Sequence, residues 1–82
     1  MAFTAREEVR GNVVEAVRHA VDDGTGPLEE ETLLEDLGVD SISSFEIRLI
    51  IRERLGVEVS EEEFAALDDV GSLVDQVLRS QS

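Results

Sequence analysis

Apolar residues recur at helical spacing in four stretches of the chain, separated by segments whose composition stops a helix. The first stretch opens at Thr4, where Thr4 and Glu7 have the spacing of a capping box, and continues with Val9, Val13, Val17, Ala20 and Val21 on one face. Asp22-Asp23-Gly24 should end it. A connection then runs from Asp22 to Asp40 and holds the turn-prone Gly24-Thr25-Gly26-Pro27, with the only proline of the chain. Loops of this length in a compact domain are functional or disordered as a rule. Leu28, Leu33, Leu34 and Leu37 are too many apolar residues for a free linker, so the loop is expected to pack across the bundle, with Thr32 and Glu35 capping a helical turn within it.

The second helix should start at Asp40 or Ser41, just after Gly38, and run to Leu55, with Gly56 as its stop. Ile42, Phe45, Leu49 and Ile50, with Ile47 and Ile51 beside them, cover more than half its circumference and predict burial on two sides. A short third helix is marked by a capping box, Ser60 with Glu63, and by Val59 and Phe64 at the spacing of a hydrophobic staple. The last helix can be capped by Asp69 and presents Leu73, Val74, Val77 and Leu78 inward, before a tail, Ser80-Gln81-Ser82, that should fray. No strand-like alternation is sustained, and internal repeats are missing. The predicted fold is all-α: a four-helix bundle with three longer helices, a short third helix and a long loop between the first and second.

Eighty-two residues enclose one modest core, so residues 1–82 are read as a single domain. With 41 % apolar but only 4 % aromatic residues, Val, Leu and Ile must fill that core, the three Phe residues being its largest pieces. The net charge of −13, from 20 Asp and Glu against 7 Arg, argues against nucleic acid and anionic membrane surfaces. It suits partners with basic patches, or simply aids solubility. Cysteine is absent, which excludes disulfides and thiolate metal sites. No secretory signal pattern and no run near the ~20 apolar residues of a membrane span occurs. A cytoplasmic monomer is expected.

Catalytic machinery is nearly absent. His19 is the sole histidine and reads as a helix-surface residue, and the runs Glu29-Glu30-Glu31 and Glu61-Glu62-Glu63 read as solvated charges near helix starts. Asp22-Asp23-Gly24 lacks the ligand alternation of a calcium loop, so no metal site is expected. What remains is Leu37-Gly38-Val39-Asp40-Ser41-Ile42. A serine in the first turn of a helix lies near unpaired backbone N–H groups and the positive end of the helix dipole, which suits an attached phosphate. Taken alone, Ser41 reads first as an ordinary helix-starting residue, since Ser and Asp are favoured there.

The segment resembles the phosphopantetheine attachment motif of acyl carrier proteins, in which Leu-Gly-x-Asp-Ser-Leu/Ile opens the second helix. Phe45-Glu46-Ile47, Leu55-Gly56-Val57 with Val59-Ser60, and Asp69-Val70-Gly71-Ser72-Leu73-Val74 are similar to the segments that follow in that family. The resemblance covers almost the whole chain. It implies a non-catalytic carrier on which a separate phosphopantetheinyl transferase, with Mg²⁺, moves 4'-phosphopantetheine from coenzyme A onto Ser41, leaving a thiol that bears acyl groups as thioesters. Asp40 would cap the helix and orient the transferase. Loading and acyl-transferring biosynthetic enzymes are the other implied partners.

The second helix departs from the acidic one that fatty-acid carriers usually present. Arg48, Arg52 and Arg54 stand against Glu46 and Glu53, a local balance of +1 that leaves −14 for the rest of the chain. At helical spacing Ser41, Ser44, Arg48 and Arg52 share a stripe, so two cations lie on the face that would carry the arm. Either they contact partners, or they pair with nearby acids such as Glu53 or with loop residues. The expected role is a discrete carrier of polyketide or mixed polyketide-peptide biosynthesis. The alternatives are a peptidyl carrier, a non-carrier acidic interaction module, and, least, an enzyme using paired carboxylates.

Overall fold

Residues 5–21 and 28–81 are described by the computed structural model. Among them the chain forms α1 (Ala5–Val21), a 3-10 turn at Glu35–Leu37, α2 (Ser41–Leu55), α3 (Glu61–Ala65) and α4 (Val70–Gln81). No strand occurs among the described residues, only an isolated antiparallel bridge between Leu33 and Asp69. This is the all-α architecture that the apolar spacing predicts. The Thr4 cap, the Asp22–Gly24 stop and the Gly24–Pro27 turn lie outside the described residues.

Helix α1 packs against both α2 and α4. Its buried face is Val9, Val13, Ala16 and Val17, while Ala20 and Val21 are only half-buried. Opposite it, α4 buries Val70, Leu73, Val74 and Val77. Asp69 caps α4 as expected: its Oδ1 accepts from the Ser72 amide and hydroxyl, each at 2.8 Å. The helix runs through Ser80 to Gln81, two of the three residues of the expected fraying tail.

The short α3 has the reciprocal cap read from Ser60 and Glu63, with the Glu63 amide donating to Ser60 Oγ and the Ser60 amide to Glu63 Oε1, both at 3.0 Å. Val59 and Phe64, at the staple positions, are both buried. Phe64 is the one described phenylalanine in the core, because Phe45 is 57 % exposed and not a core piece.

The connection before α2 does lie across the bundle, held by Leu28 and Leu34 in the core and by backbone bonds to the start of α4. Thr32 O accepts from Val70 N, Glu30 O from Gly71 N, and Asp68 O from Leu34 N. Gly71 permits this close approach, since a Cβ there would stand a tight 3.2 Å from Glu30 backbone and side-chain atoms. Two expectations for this loop fail. Glu30 is not a free solvated charge, because its carboxylate gathers Arg6 and Arg10 from α1. Thr32 does not cap the 3-10 turn: its hydroxyl accepts from Glu29 N at 3.2 Å, and the turn has no side-chain cap.

The larger correction concerns α2. Only Ile47 and Ile51 are fully buried, whereas Ile42 is 77 %, Phe45 57 % and Leu49 38 % exposed. The helix meets α1 along one stripe, and the short α3 does not cover its opposite apolar side, so burial on two sides is not realised. Ile47→Ala should therefore cost about 2–5 kcal/mol of stability, as for a buried Ile truncated in a tight core. Ile42→Ala should stay within about 0.5 kcal/mol, the range of exposed positions. Urea unfolding of the two variants measures the difference, and equal losses would contradict this register.

Candidate functional site

The approach to α2 is built by Leu34, buried beneath the 3-10 turn, and by Gly38, whose φ of 75° lets the chain reverse in the left-handed region. Gly38 N donates to Glu35 O at 3.1 Å and closes the turn. Val39 then leads to Asp40, which is extended and serves as the cap of α2. The Asp40 Oδ1 accepts from Ser43 N at 2.9 Å, and its carbonyl accepts from Ser44 N at 2.8 Å. Donation by the Ser43 amide, and next by the Ser43 hydroxyl, holds the Asp40 carboxyl below its ordinary value.

With Ser43 and Ser44 amides satisfied by Asp40, Ser41 stands as the first helical residue and is exposed. No hydrogen bond engages its hydroxyl among the described residues. The amides at the very start of the helix have no intrahelical acceptor and share the positive end of its dipole. Beside Ser41 a cleft of 480 Å³ opens between the 3-10 turn and α3, over Leu34, Val39, Phe64 and Leu67. Ser41 is thus reachable from outside, at a helix start whose dipole favours an anionic substituent. The Asp40 carboxylate opposes this in part, but its charge is turned into the cap.

Ser44, Arg48 and Arg52 follow on the stripe of Ser41, as their spacing requires. Ser44 and Arg48 are half-buried, and Arg52 is exposed. Arg52 pairs with Glu58 at 3.4 Å, not with Glu53. Arg48 lies over the Phe45 ring, 5.8 Å from its centroid, and reaches Val59 O only at 3.5 Å. Its Nε is enclosed and without an acceptor. Glu58 is a loop residue, the second kind of acid expected for these arginines, and it arrives with Val59 as the chain folds back after Gly56; spacing along α2 did not point to either by number. His19 is on the surface of α1, as read. No group of residues suited to a metal occurs among the described residues, and no described helix is long and apolar enough to cross a membrane.

Comparison with protein families matches residues 9–77 to the family described as phosphopantetheine attachment site. The chain belongs to this carrier family. It is 33 % identical over 76 residues to an acyl carrier protein of Rickettsia bellii, covering 87 % of this chain and 88 % of that one. It is 31 % identical over 80 residues to the meromycolate extension acyl carrier protein of Mycobacterium leprae, covering 94 % and 67 %. A reducing polyketide synthase of Aspergillus oryzae is 32 % identical over 56 residues, 68 % of this chain; the chain spans only 2 % of that protein's length.

Members of this family carry intermediates on covalent phosphopantetheine and are not themselves catalysts, and they work with phosphopantetheinyl transferases and biosynthetic enzymes. The residues of this carrier fit the group: an exposed, unengaged hydroxyl at a capped helix start offers a nucleophilic oxygen and a setting for a phosphodiester. When bound, phosphopantetheine supplies the thiol that a chain without cysteine lacks.

Replacing Asp40 by Ala should lower Tm at pH 7. Because the folded-state carboxyl titrates below the ordinary 3.8, its contribution is present above that pH and is lost as pH falls through the lowered value. Thermal unfolding of both proteins should show the gap closing on acidification; a gap constant down to strongly acid pH would contradict the cap.

Proposed function

We propose that this carrier holds acyl intermediates as thioesters on a 4'-phosphopantetheine arm attached at Ser41, in biosynthesis of the polyketide type. The observation that carries the reading is the exposed first-turn hydroxyl of Ser41, left free while Asp40 caps the helix. In the attachment step the Ser41 oxygen forms a bond to the phosphorus of coenzyme A that bears pantetheine, and the bond from that phosphorus to the bridging oxygen breaks. Adenosine 3',5'-bisphosphate leaves, and the hydroxyl proton passes to a base of the transferase.

The polyketide assignment is supported by the likeness to synthase segments and by the α2 charge, which differs from that of an acidic recognition helix. Transferase and acyl-handling enzymes meet the face of Ser41, where Ile42, Phe45 and Leu49 are exposed and Ser44, Arg48 and Arg52 stand alongside. On this reading the carrier works in the cytoplasm as a monomer, among coenzyme A-dependent enzymes.

Incubation with coenzyme A and a promiscuous phosphopantetheinyl transferase should raise the intact mass by one phosphopantetheine in the wild type and not in Ser41→Ala. An unmodified wild type would defeat the proposal. Reversing charge at Arg48 and Arg52 together should slow transfer by the cognate enzymes about tenfold at low salt, with the deficit shrinking as salt is added. Unchanged rates would remove those arginines from partner recognition.

A further inference from the structure

A seam of like charge crosses the bundle where the connection before α2 meets the start of α4. Residues 30–34 run antiparallel to 68–71, joined by the Leu33–Asp69 bridge and by three backbone bonds: Gly71 N to Glu30 O, Val70 N to Thr32 O, and Leu34 N to Asp68 O. One side of the seam brings Glu29, Glu30 and Glu31, and the other brings Asp68, Asp69 and Asp75. Carboxylates carried on paired backbones repel, and water and salt screen them only in part. Two arginines of a third element stand against them. Arg6 of α1 donates to Glu30 Oε1 and to Asp75 Oδ1, so one guanidinium spans the seam, and Arg10 pairs with Glu30 Oε2 at 3.3 Å. An isolated surface pair is worth little, but removing these cations also uncovers the repulsion that they neutralise.

We infer that Arg6 and Arg10 hold this seam shut and thereby position the approach to Ser41. The loop side of the seam ends at Leu34, which is buried and whose carbonyl accepts from Leu37 N at 3.1 Å and from Val39 N at 3.4 Å. Asp40 and Ser41 follow directly, so the start of α2 is moored to the seam through Leu34. Between the buried Leu28 and Leu34 no side chain enters the core, and Leu33 is 42 % exposed. Backbone bonds and the two arginines are therefore what hold that stretch down. Both arginines act through the backbone, as positioning residues. The consequence for loading rests on attachment at Ser41; the closure of the seam does not.

The test measures amide hydrogen exchange by NMR, and loading by a promiscuous phosphopantetheinyl transferase with coenzyme A, on the full chain and on its Arg6→Gln/Arg10→Gln variant. In the wild type the Leu34, Val70 and Gly71 amides should exchange by a local opening that low urea leaves unchanged, while urea speeds exchange at Ile47 and Ile51. In the double variant, a seam moved from about one-tenth to about one-half open exchanges about fivefold faster and about doubles the KM for the carrier at unchanged kcat. A merely stabilising pair would leave that KM unmoved in a folded protein. Sodium chloride at about 1 M, where the Debye length is about 3 Å, should reverse much of the faster exchange. Adding Glu30→Gln, which removes the acid left without a partner, should do the same. Seam amides that follow Ile47 and Ile51 in urea would overturn a separately opening seam. Faster exchange that neither salt nor Glu30→Gln reduces would overturn the charge argument, and a faster-opening seam with unchanged KM would overturn the link to Ser41. A wild type that takes up no phosphopantetheine would defeat attachment alone and leave the exchange results standing. Should the double variant not fold, Arg10→Gln carries the same signs at smaller size.

Discussion

One carboxylate governs the end of α2. Asp40 satisfies the Ser43 amide with its side chain and the Ser44 amide with its carbonyl, and Gly38 supplies the left-handed turn that lets it arrive in an extended conformation. The consequence is a division of labour between adjacent residues. Asp40 absorbs the helix-starting donors, and Ser41 is placed one position later with a hydroxyl that owes no bond to the fold. If Ser41 itself were the cap, its oxygen would be occupied by backbone N–H groups and the helix start would depend on it. Function and stability would then compete for one atom.

A second division runs along α2. Its apolar residues serve two surfaces: Ile47 and Ile51 enter the core against α1, while Ile42, Phe45 and Leu49 remain accessible on the side that carries Ser41. Exposed large apolar side chains on a small, highly charged protein suit the contact role proposed for this face. The short α3 is what keeps that surface open, since its five residues bury Phe64 but do not extend over α2. Arg48 and Arg52 are drawn into the same surface, the first against Phe45 and Val59 and the second to Glu58. A nearly neutral, apolar and arginine-bearing helix is thereby set into a molecule whose negative charge lies elsewhere.

The features legible in the sequence are those governed by neighbours a few residues apart. Helix caps at Asp40, Ser60 and Asp69, the stop at Gly56 and the inward stripe of α4 all follow from local spacing, and so does the common stripe of Ser41, Ser44, Arg48 and Arg52. What spacing misjudged was the choice among apolar faces. Ile42, Phe45 and Leu49 look as suited to a core as Ile47 and Ile51, and only the length and position of α3 decide which side is covered. Glu30 has no local sign of its partners because both arginines come from α1, and the capping-box spacing of Thr32 and Glu35 is not used because the Thr32 hydroxyl accepts from the Glu29 amide instead. The enclosure of Arg48 depends on Val59 returning across α2, a tertiary event with no local signature.

The claim at the centre of this account is that the helix start frees one particular hydroxyl among three neighbouring serines. Fragmentation mass spectrometry of the loaded protein can locate the arm among Ser41, Ser43 and Ser44 directly. Phosphopantetheine should be found on Ser41 alone, because Ser41 is exposed while Ser43 and Ser44 are half-buried in the first turn that Asp40 caps. An arm found on Ser43 or Ser44 would contradict it.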